Sequence, residues 1–279
     1  MTTGYSRPRD VDEALAQRAA HPDWMVLAGG TDLMVNANHH PAPVGIIDLW
    51  RLPGLGGITA TDAGVTIGAG ATWYEVEHHA AILERWLPLA LAAREIGALQ
   101  IQARGTLGGN VGTSSPVGDS LPVLLALDAE LELASVRGRR RIAYKDYCTG
   151  YRKTLLAPDE LIVSATLPNI AANTHTTWRK VGTRRAQSIS KVMGAAAITL
   201  DGGIVTSARV ALGAVAERPI RVAAVESAVV GLAPAQAADA ARAALRTAIK
   251  PIDDVRSTAI YRREVAENLV ARFFSGILS

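Results

Sequence analysis

The chain of 279 residues holds one cysteine, Cys148, and only two phenylalanines. A lone cysteine excludes an internal disulfide, a cysteine-ligated iron–sulfur cluster within this chain and any CxxC zinc site, and it suits a reducing compartment. Aromatics are 5% of the residues against 49% hydrophobic, so the core must be built from Ala, Val, Leu and Ile. Charge of one sign is also scarce, since 29 basic residues face 26 acidic ones. The basic residues are mostly arginines scattered along the chain. Their one dense cluster, Arg137 and Arg139–Arg141 around Gly138, reads as a solvated hairpin turn. A nucleic-acid footprint needs a basic stripe interleaved with stacking aromatics, and none is present. No apolar run approaches the ~20 residues needed to span a bilayer. The N-terminal MTTGYSRPRD lacks the apolar stretch of a signal peptide, so a cytoplasmic protein is expected.

What is present patterns as α+β. Asp10 with Glu13 forms a capping-box-like start to a helix over Val11–Ala20. Trp24–Ala28 reads as a buried strand running into Gly29-Gly30, and Gly45–Leu49 as a second strand. Runs at Gly57–Ala60 and Gly64–Gly68 read as strands, and Thr72 with Glu75 caps a helix over Trp73–Glu84, followed by one over Leu87–Ile96. Gly105–Asp119 is rich in glycine and serine and too long for a mere turn, which points to a functional loop. Beyond the apolar run Leu121–Leu127, strands are expected at Glu130–Ser135, Arg139–Ala143 and Leu161–Leu167. Pro168–Asn173 looks like a boundary. After it come strands at Thr176–Val181, Gly194–Leu200 and Ile204–Ala214, the last two joined by the hairpin signal Asp201-Gly202-Gly203. Helices over Val222–Val230, Pro234–Ala248 and Thr258–Phe274 complete a second α+β unit of roughly a hundred residues, a usual domain size.

Two segments can carry ligand chemistry. In Val26–Leu33 (VLAGGTDL) a strand ends in two glycines and a small hydroxyl residue, so successive backbone N–H groups can converge on an anion. The same pattern is also that of an ordinary turn. Thr106–Asp119 (TLGGNVGTSSPVGD) adds glycines, Asn110 and the hydroxyls of Thr106, Thr113, Ser114 and Ser115, suited to phosphate oxygens and sugar hydroxyls. Asp119 is the carboxylate of this loop, either an N-cap for the following helix or an acceptor for a sugar. Gly68-Ala69-Gly70 follows a strand and precedes a helix, but Trp73 stands at the third glycine of a GxGxxG and no second βαβ unit follows, so a Rossmann site is rejected. No GxxxxGK[ST] occurs. The adjacent pairs His39-His40 and His78-His79 do not face one metal on a helix and read as solvent-exposed. Cys148 reads as a small buried hydrophobe. Lys180, alone among strand residues, would normally be exposed. No catalytic residue and no metal ligand is assigned.

The two glycine loops at this separation resemble those of the FAD subunits of the molybdenum hydroxylases, the family of xanthine dehydrogenase, carbon monoxide dehydrogenase and related N-heterocycle hydroxylases. VLAGGTDL is similar to the family's first flavin loop and GTLGGNVGTSSPVGDSLP to its second. KVGTRRAQSISKV and RSTAIYRREVAENLV are similar to hallmarks of its C-terminal domain. The resemblance covers essentially the whole chain. It implies a two-part FAD-binding domain of the vanillyl-alcohol-oxidase/PCMH type over residues 1–172, with subdomains of about 1–55 and 56–172. A small C-terminal domain, a three-stranded sheet with helices, would follow over 173–279. The site it implies comprises Val26, Leu27, Ala28, Gly29, Gly30, Thr31, Asp32 and Leu33 of the first loop. Thr106, Leu107, Gly108, Gly109, Asn110, Ser115 and Asp119 would come from the second. Leu161 or Ile162 would add a backbone contact, Lys180 would lie near the flavin ring, and Ile96 stands where vertebrate xanthine dehydrogenases place an aromatic.

The implied function is an electron relay. A large partner subunit would hold molybdopterin and hydroxylate a purine or other N-heterocycle, and a small partner would carry two 2Fe–2S clusters. FAD on this chain would pass the electrons to NAD or another acceptor, in a cytoplasmic dimer of heterotrimers. The alternative is a self-sufficient FAD-dependent oxidoreductase that oxidises a small substrate directly.

Overall fold

The computed structural model describes residues 4–37, 41–184 and 187–278. The N-terminal unit is a small parallel sheet. Strand β1 (Gly4–Ser6) is followed by helix α1 (Val11–Ala20), whose N-cap Asp10 accepts from the Glu13 N–H. The Glu13 carboxylate turns back to the N–H of Arg9, one residue before the position a full capping box uses. Strands β2 (Met25–Leu27) and β3 (Gly45–Asp48) complete the sheet in the order β1-β3-β2, all parallel. Only glycine fits at two of its positions, because a Cβ on Gly4 or Gly45 would meet the Trp24 ring at 2.5 and 2.2 Å. β1, which no periodicity announces, is thus seated by Trp24.

The second unit is built on an antiparallel sheet. Strands β4 (Ile58–Ala60) and β5 (Gly64–Gly68) precede a run of helices. The expected helix from Trp73 is two: α2 (Trp73–His78) and α3 (Ala80–Arg85), divided at His79, whose ψ of 121° leaves the helical region. Thr72 and Glu75 form the complete capping box. Then come α4 (Leu87–Glu95), the single turn α5 (Leu99–Gln102), α6 (Leu107–Thr113) and α7 (Leu121–Ala126). Strands β6 (Glu130–Ser135) and β7 (Gly138–Ala143) form the arginine-rich hairpin, its guanidinium groups paired with Glu130, Glu132, Asp159 and Glu160. The turn α8 (Tyr144–Tyr147), the small hairpin β8 (Cys148–Gly150) and β9 (Lys153–Thr154), and β10 (Leu161–Pro168) follow, giving the sheet order β4-β5-β10-β6-β7. Trp73, Trp86, Tyr144 and Tyr147 are buried in the core between this sheet and the helices.

The third unit has strands β11 (Thr174–Val181), β12 (Val192–Asp201) and β13 (Ile204–Gly213) in one antiparallel meander. A two-residue edge strand, β14 (Ile220–Arg221), extends the expected three-stranded sheet to four. Gly202 and Gly203 both take positive φ (53° and 80°) in the hairpin, which is what a tight primed turn demands. Helices α9 (Ala223–Val229), α10 (Pro234–Ala248) and α11 (Ala259–Ser275) cover one face of the sheet. Their shared core is aliphatic apart from Phe273 and Phe274, as the shortage of aromatics requires. Against its other face lies α7, fully buried between the second and third units.

Candidate functional site

A cleft of about 1220 Å³ runs between the three units. The first loop forms one wall. β2 ends at Leu27, whose carbonyl accepts from Leu49 N at 2.7 Å, and the chain then leaves the sheet. At Gly29 the loop lies so close to the neighbouring segment that a Cβ would sit 1.7 Å from the Arg104 carbonyl oxygen. Gly30 takes φ 77°, and a one-turn 3-10 helix, Leu33–Asn36, follows. The backbone N–H groups of Gly29, Gly30, Thr31 and Asp32 find no acceptor among the described residues, although all four residues line the cleft. Free amides gathered at a glycine turn form an anion-binding concavity.

The second segment differs. Within the expected long loop, seven residues form the helix α6, with Thr106 as N-cap. Its first amides are already satisfied: Leu107 N donates to Ala71 O at 3.0 Å, Gly108 N to Ala69 O at 2.8 Å and Gly109 N to Thr106 Oγ1 at 3.1 Å. A Cβ on Gly108 would lie 2.6 Å from the Ala69 Cβ, so this glycine allows the helix start to sit on 69–71. Gly109 meets nothing but the Thr106 hydroxyl within 4 Å. The Asn110 side-chain oxygen accepts from Ser120 Oγ at 2.7 Å, and Ser114 turns the chain through φ 47°.

Asp119 is not the N-cap of α7. That position belongs to Ser120, which makes no side-chain cap bond. The Asp119 carboxylate instead accepts from Lys180 Nζ and from Ser190 Oγ, each at 2.6 Å. Burial pushes its pKa up, and the Lys180 charge and these two hydrogen bonds oppose that rise. Lys180 is correspondingly not exposed. Its side chain retains 3% of its accessible surface, and Nζ also reaches the Glu95 carbonyl at 3.3 Å.

Of the implied site residues, Val26, Ala28, Gly29, Gly30, Thr31, Asp32, Leu33, Ile96, Thr106, Gly108, Gly109, Asn110, Ser115, Asp119, Leu161 and Ile162 line this one cleft. Leu27, Leu107 and Lys180 stand off its wall. Leu107 is wholly buried, and Lys180 borders a second groove that Glu95 and Trp178 also line. The cleft has further walls that the residue-by-residue reading missed. Tyr151 and Arg152 reach it from the β8–β9 turn, and Arg152 pairs with Asp32 at 3.6 Å. Asp254, Arg256 and Arg262 reach it from the C-terminal unit, where Arg262 donates to Ala214 O at 2.7 Å and pairs with Asp254 at 2.7 Å. The motif RSTAIYRREVAENLV contained the signal for Arg256 and Arg262. Nothing in the sequence marked Tyr151 or Arg152.

The two glycines of Gly68-Ala69-Gly70 are packed against the Leu55–Gly56 backbone, where a Cβ on Gly68 would lie 2.4 Å and one on Gly70 3.2 Å from Leu55 O. Cys148 is buried with Sγ 2.9 Å from Ser114 Oγ. His78 is exposed and stacks on Tyr74, His79 is half-buried, and His39-His40 lies outside the described residues. Among the described residues no group of three or more His, Cys, Asp or Glu is disposed to hold a metal, and no helix is long and apolar enough to cross a membrane.

Comparison with known proteins finds relatives over nearly the whole chain. The family pattern described as the FAD binding domain in molybdopterin dehydrogenase matches residues 1–170, and that of the CO dehydrogenase flavoprotein C-terminal domain matches 178–277. The chain is 29% identical to the nicotinate dehydrogenase FAD-subunit of Eubacterium barkeri, over 98% of this chain and 95% of that protein. It is 34% identical to the xanthine dehydrogenase FAD-binding subunit of Escherichia coli O157:H7, over 78% and 75%. In structure it is similar to a chain of the carbon monoxide dehydrogenase from Hydrogenophaga pseudoflava. The TM-score is 0.92 at 30% identity, covering 98% of this chain and 96% of that one.

Proposed function

Because this chain belongs to the FAD-binding flavoprotein subunits of the molybdenum hydroxylases, we propose that the cleft holds FAD across the two glycine segments and that the chain relays electrons out of a larger complex. The observation that carries this reading is the set of amides at Gly29, Gly30, Thr31 and Asp32 with no acceptor among the described residues, in a cleft that the glycine start of α6 also lines. These amides fit the pyrophosphate, which needs several donors at once and no basic side chain. Gly109, where a Cβ would meet only the Thr106 hydroxyl, and Asn110 flank it from α6. Asp119 supplies acceptors for hydroxyls of the ribityl chain, with Lys180 behind it. Ile96, Leu161 and Ile162 give the flavin ring an apolar wall. Bound FAD supplies the redox chemistry, and the protein supplies binding, orientation and a dry, charged surround.

Substrate hydroxylation belongs to another subunit of such complexes. We place residues 1–172 in the FAD-binding domain, with subdomains dividing near residue 55, and 173–279 in the C-terminal domain. The partners are a large molybdopterin subunit and a small 2Fe–2S subunit, in a cytoplasmic dimer of heterotrimers. The electrons pass to NAD or another acceptor, and a purine or other N-heterocycle is the favoured substrate. Identity to a xanthine dehydrogenase subunit supports the purine assignment.

The test is direct. The full chain titrated with FAD should quench flavin fluorescence, and FAD at a hundredfold above its dissociation constant should stabilise the fold by roughly 2.7 kcal/mol. A colourless chain that leaves both signals unchanged overturns the proposal. Co-purification with its partners, followed by assays of purines, N-heterocycles and aldehydes with NAD or a dye, tests substrate and acceptor.

A further inference from the structure

The segment joining β11 to β12 carries the motif KVGTRRAQSISKV, and its buried end makes a contact that the proposed function leaves unexplained. Ser190 is wholly inaccessible to solvent. Its hydroxyl donates to Asp119 Oδ1 at 2.6 Å, while Lys180 Nζ donates to Oδ2 at 2.6 Å. A third residue of the same unit, Trp178, donates its indole N–H to the Asp119 main-chain carbonyl at 3.0 Å. Three residues back, the Pro116 carbonyl accepts from Ala214 N at 2.8 Å. The end of the second glycine segment is thus gripped at both its main chain and its side chain by the C-terminal sheet, although Asp119 itself lines the cleft.

Lysine alone would not hold the carboxylate in one orientation. Its ammonium is a point charge on a flexible stem, and a carboxylate beside it stays free to rotate. A second donor on the other oxygen fixes the plane. An ionised carboxylate has about four acceptor sites, so Ser190 and Lys180 leave about two of them for a ligand. Ser190, with no water to turn to, needs Asp119 as much as Asp119 needs it.

We propose that Ser190 is a positioning residue of the FAD site: it sets the Asp119 carboxylate so that its remaining lone pairs serve the cofactor, and through it the C-terminal sheet controls cofactor affinity. This rests on the cleft being the FAD site, and the experiment separates the two. Wild type, Ser190→Ala, the near-isosteric weak donor Ser190→Cys, and Thr199→Val as control are compared as full chains. Thr199 hydrogen-bonds Thr174 at 2.9 Å within the same sheet and does not line the cleft. FAD dissociation constants come from fluorescence quenching, the bound flavin's visible bands report its surroundings, and Tm reports stability. Both Ser190 variants should bind FAD roughly tenfold more weakly, the order expected for a lost hydrogen bond to a charged group, with shifted flavin bands. Thr199→Val should lower Tm and leave both flavin signals alone. If the Ser190 variants lose Tm while keeping wild-type affinity and spectrum, the serine is structural only and the proposal falls. If Ser190→Ala does not fold, Ser190→Cys decides the matter alone. If wild type itself binds no FAD, the reading of the cleft fails instead.

Discussion

The two glycine segments look alike in sequence and serve the cleft by opposite means. The first, Gly29–Asp32, is irregular backbone with four amides that nothing in the described chain accepts from. The second is the start of a helix whose Leu107, Gly108 and Gly109 amides are all used internally, on Ala71, Ala69 and the Thr106 hydroxyl. A helix N-terminus is usually a ready anion site because its first amides are orphaned. Here they are not. The longer and more distinctive motif therefore holds the helix against strand β5 and the 69–71 turn, and shapes the cavity. The shorter one, which alone would pass for a turn, carries the donors. Gly29 and Gly108 serve close approach of neighbouring segments, whereas a Cβ on Gly109 would meet only the Thr106 hydroxyl, at 3.1 Å.

The sharpest way to break this comparison is Gly29→Ala. The new Cβ would fall 1.7 Å from the Arg104 carbonyl oxygen, which is backbone and cannot swing aside. The first loop must move, and with it the converging amides. The expected outcome is a purified chain without flavin absorbance, and full retention of FAD would show that the loop's geometry is not what binds it. Next in size is Lys180→Met. It leaves the buried Asp119 carboxylate without its charge partner, which typically costs about 3–5 kcal/mol. Replacing both, as Asp119→Leu with Lys180→Met, should recover much of that stability but none of the FAD affinity. Denaturant unfolding of the two single variants and the double variant gives the coupling. Additive losses would mean that the pair is not the unit the 2.6 Å contact describes.

Local chemistry was legible where one segment decides the outcome. Asp10 and Thr72 cap their helices because each oxygen needs only a backbone N–H three residues on. Gly202-Gly203 turns a hairpin because both can take positive φ. The helical state of Leu107–Thr113 was hidden for the converse reason. Three of its seven residues are glycines, each disfavouring helix by about 1 kcal/mol relative to alanine. What offsets them is tertiary, the hydrogen bonds to Ala69 and Ala71. Lys180 looked like an exposed strand lysine because its partner is 61 residues away in sequence. The cleft walls at Tyr151, Arg152 and Asp254 depend on three units meeting, and no local pattern encodes that. The site's residues were readable one by one through the resemblance, and the division of roles between the two segments was not.

Gly109→Ala sharpens that division at a smaller scale. Within 4 Å the Cβ meets only Thr106 Oγ1, at 3.1 Å, so a shift of a few tenths of an ångström accommodates it. Alanine is the better helix former, and stability without FAD should stay within about 1 kcal/mol of wild type. FAD affinity should nonetheless fall, because Gly109 lines the cleft proposed for FAD and the methyl takes up space there. Gly108→Ala should do the reverse, lowering Tm through its clash with Ala69 before it touches affinity. If the two substitutions gave the same ratio of stability loss to affinity loss, the distinction between a packing glycine and a ligand glycine would be void.

The smallest effect expected is at the cap itself. Thr106 is 3% exposed and accepts from Gly109 N, so Thr106→Ala removes the acceptor of the Gly109 amide. Loss of such a cap costs about 1 kcal/mol. The consequence for FAD should run in an unusual direction. With Thr106 Oγ1 gone, the Gly109 N–H joins the Gly29–Asp32 amides as a donor with no partner among the described residues. If the second segment is kept out of anion binding only because its amides are already satisfied, the Thr106→Ala chain should lose stability without FAD and lose less of it with FAD bound. The measurement is Tm with and without saturating FAD. The FAD-induced rise should be at least as large in the variant as in wild type, and a smaller rise would mean that the threonine hydroxyl itself serves the cofactor.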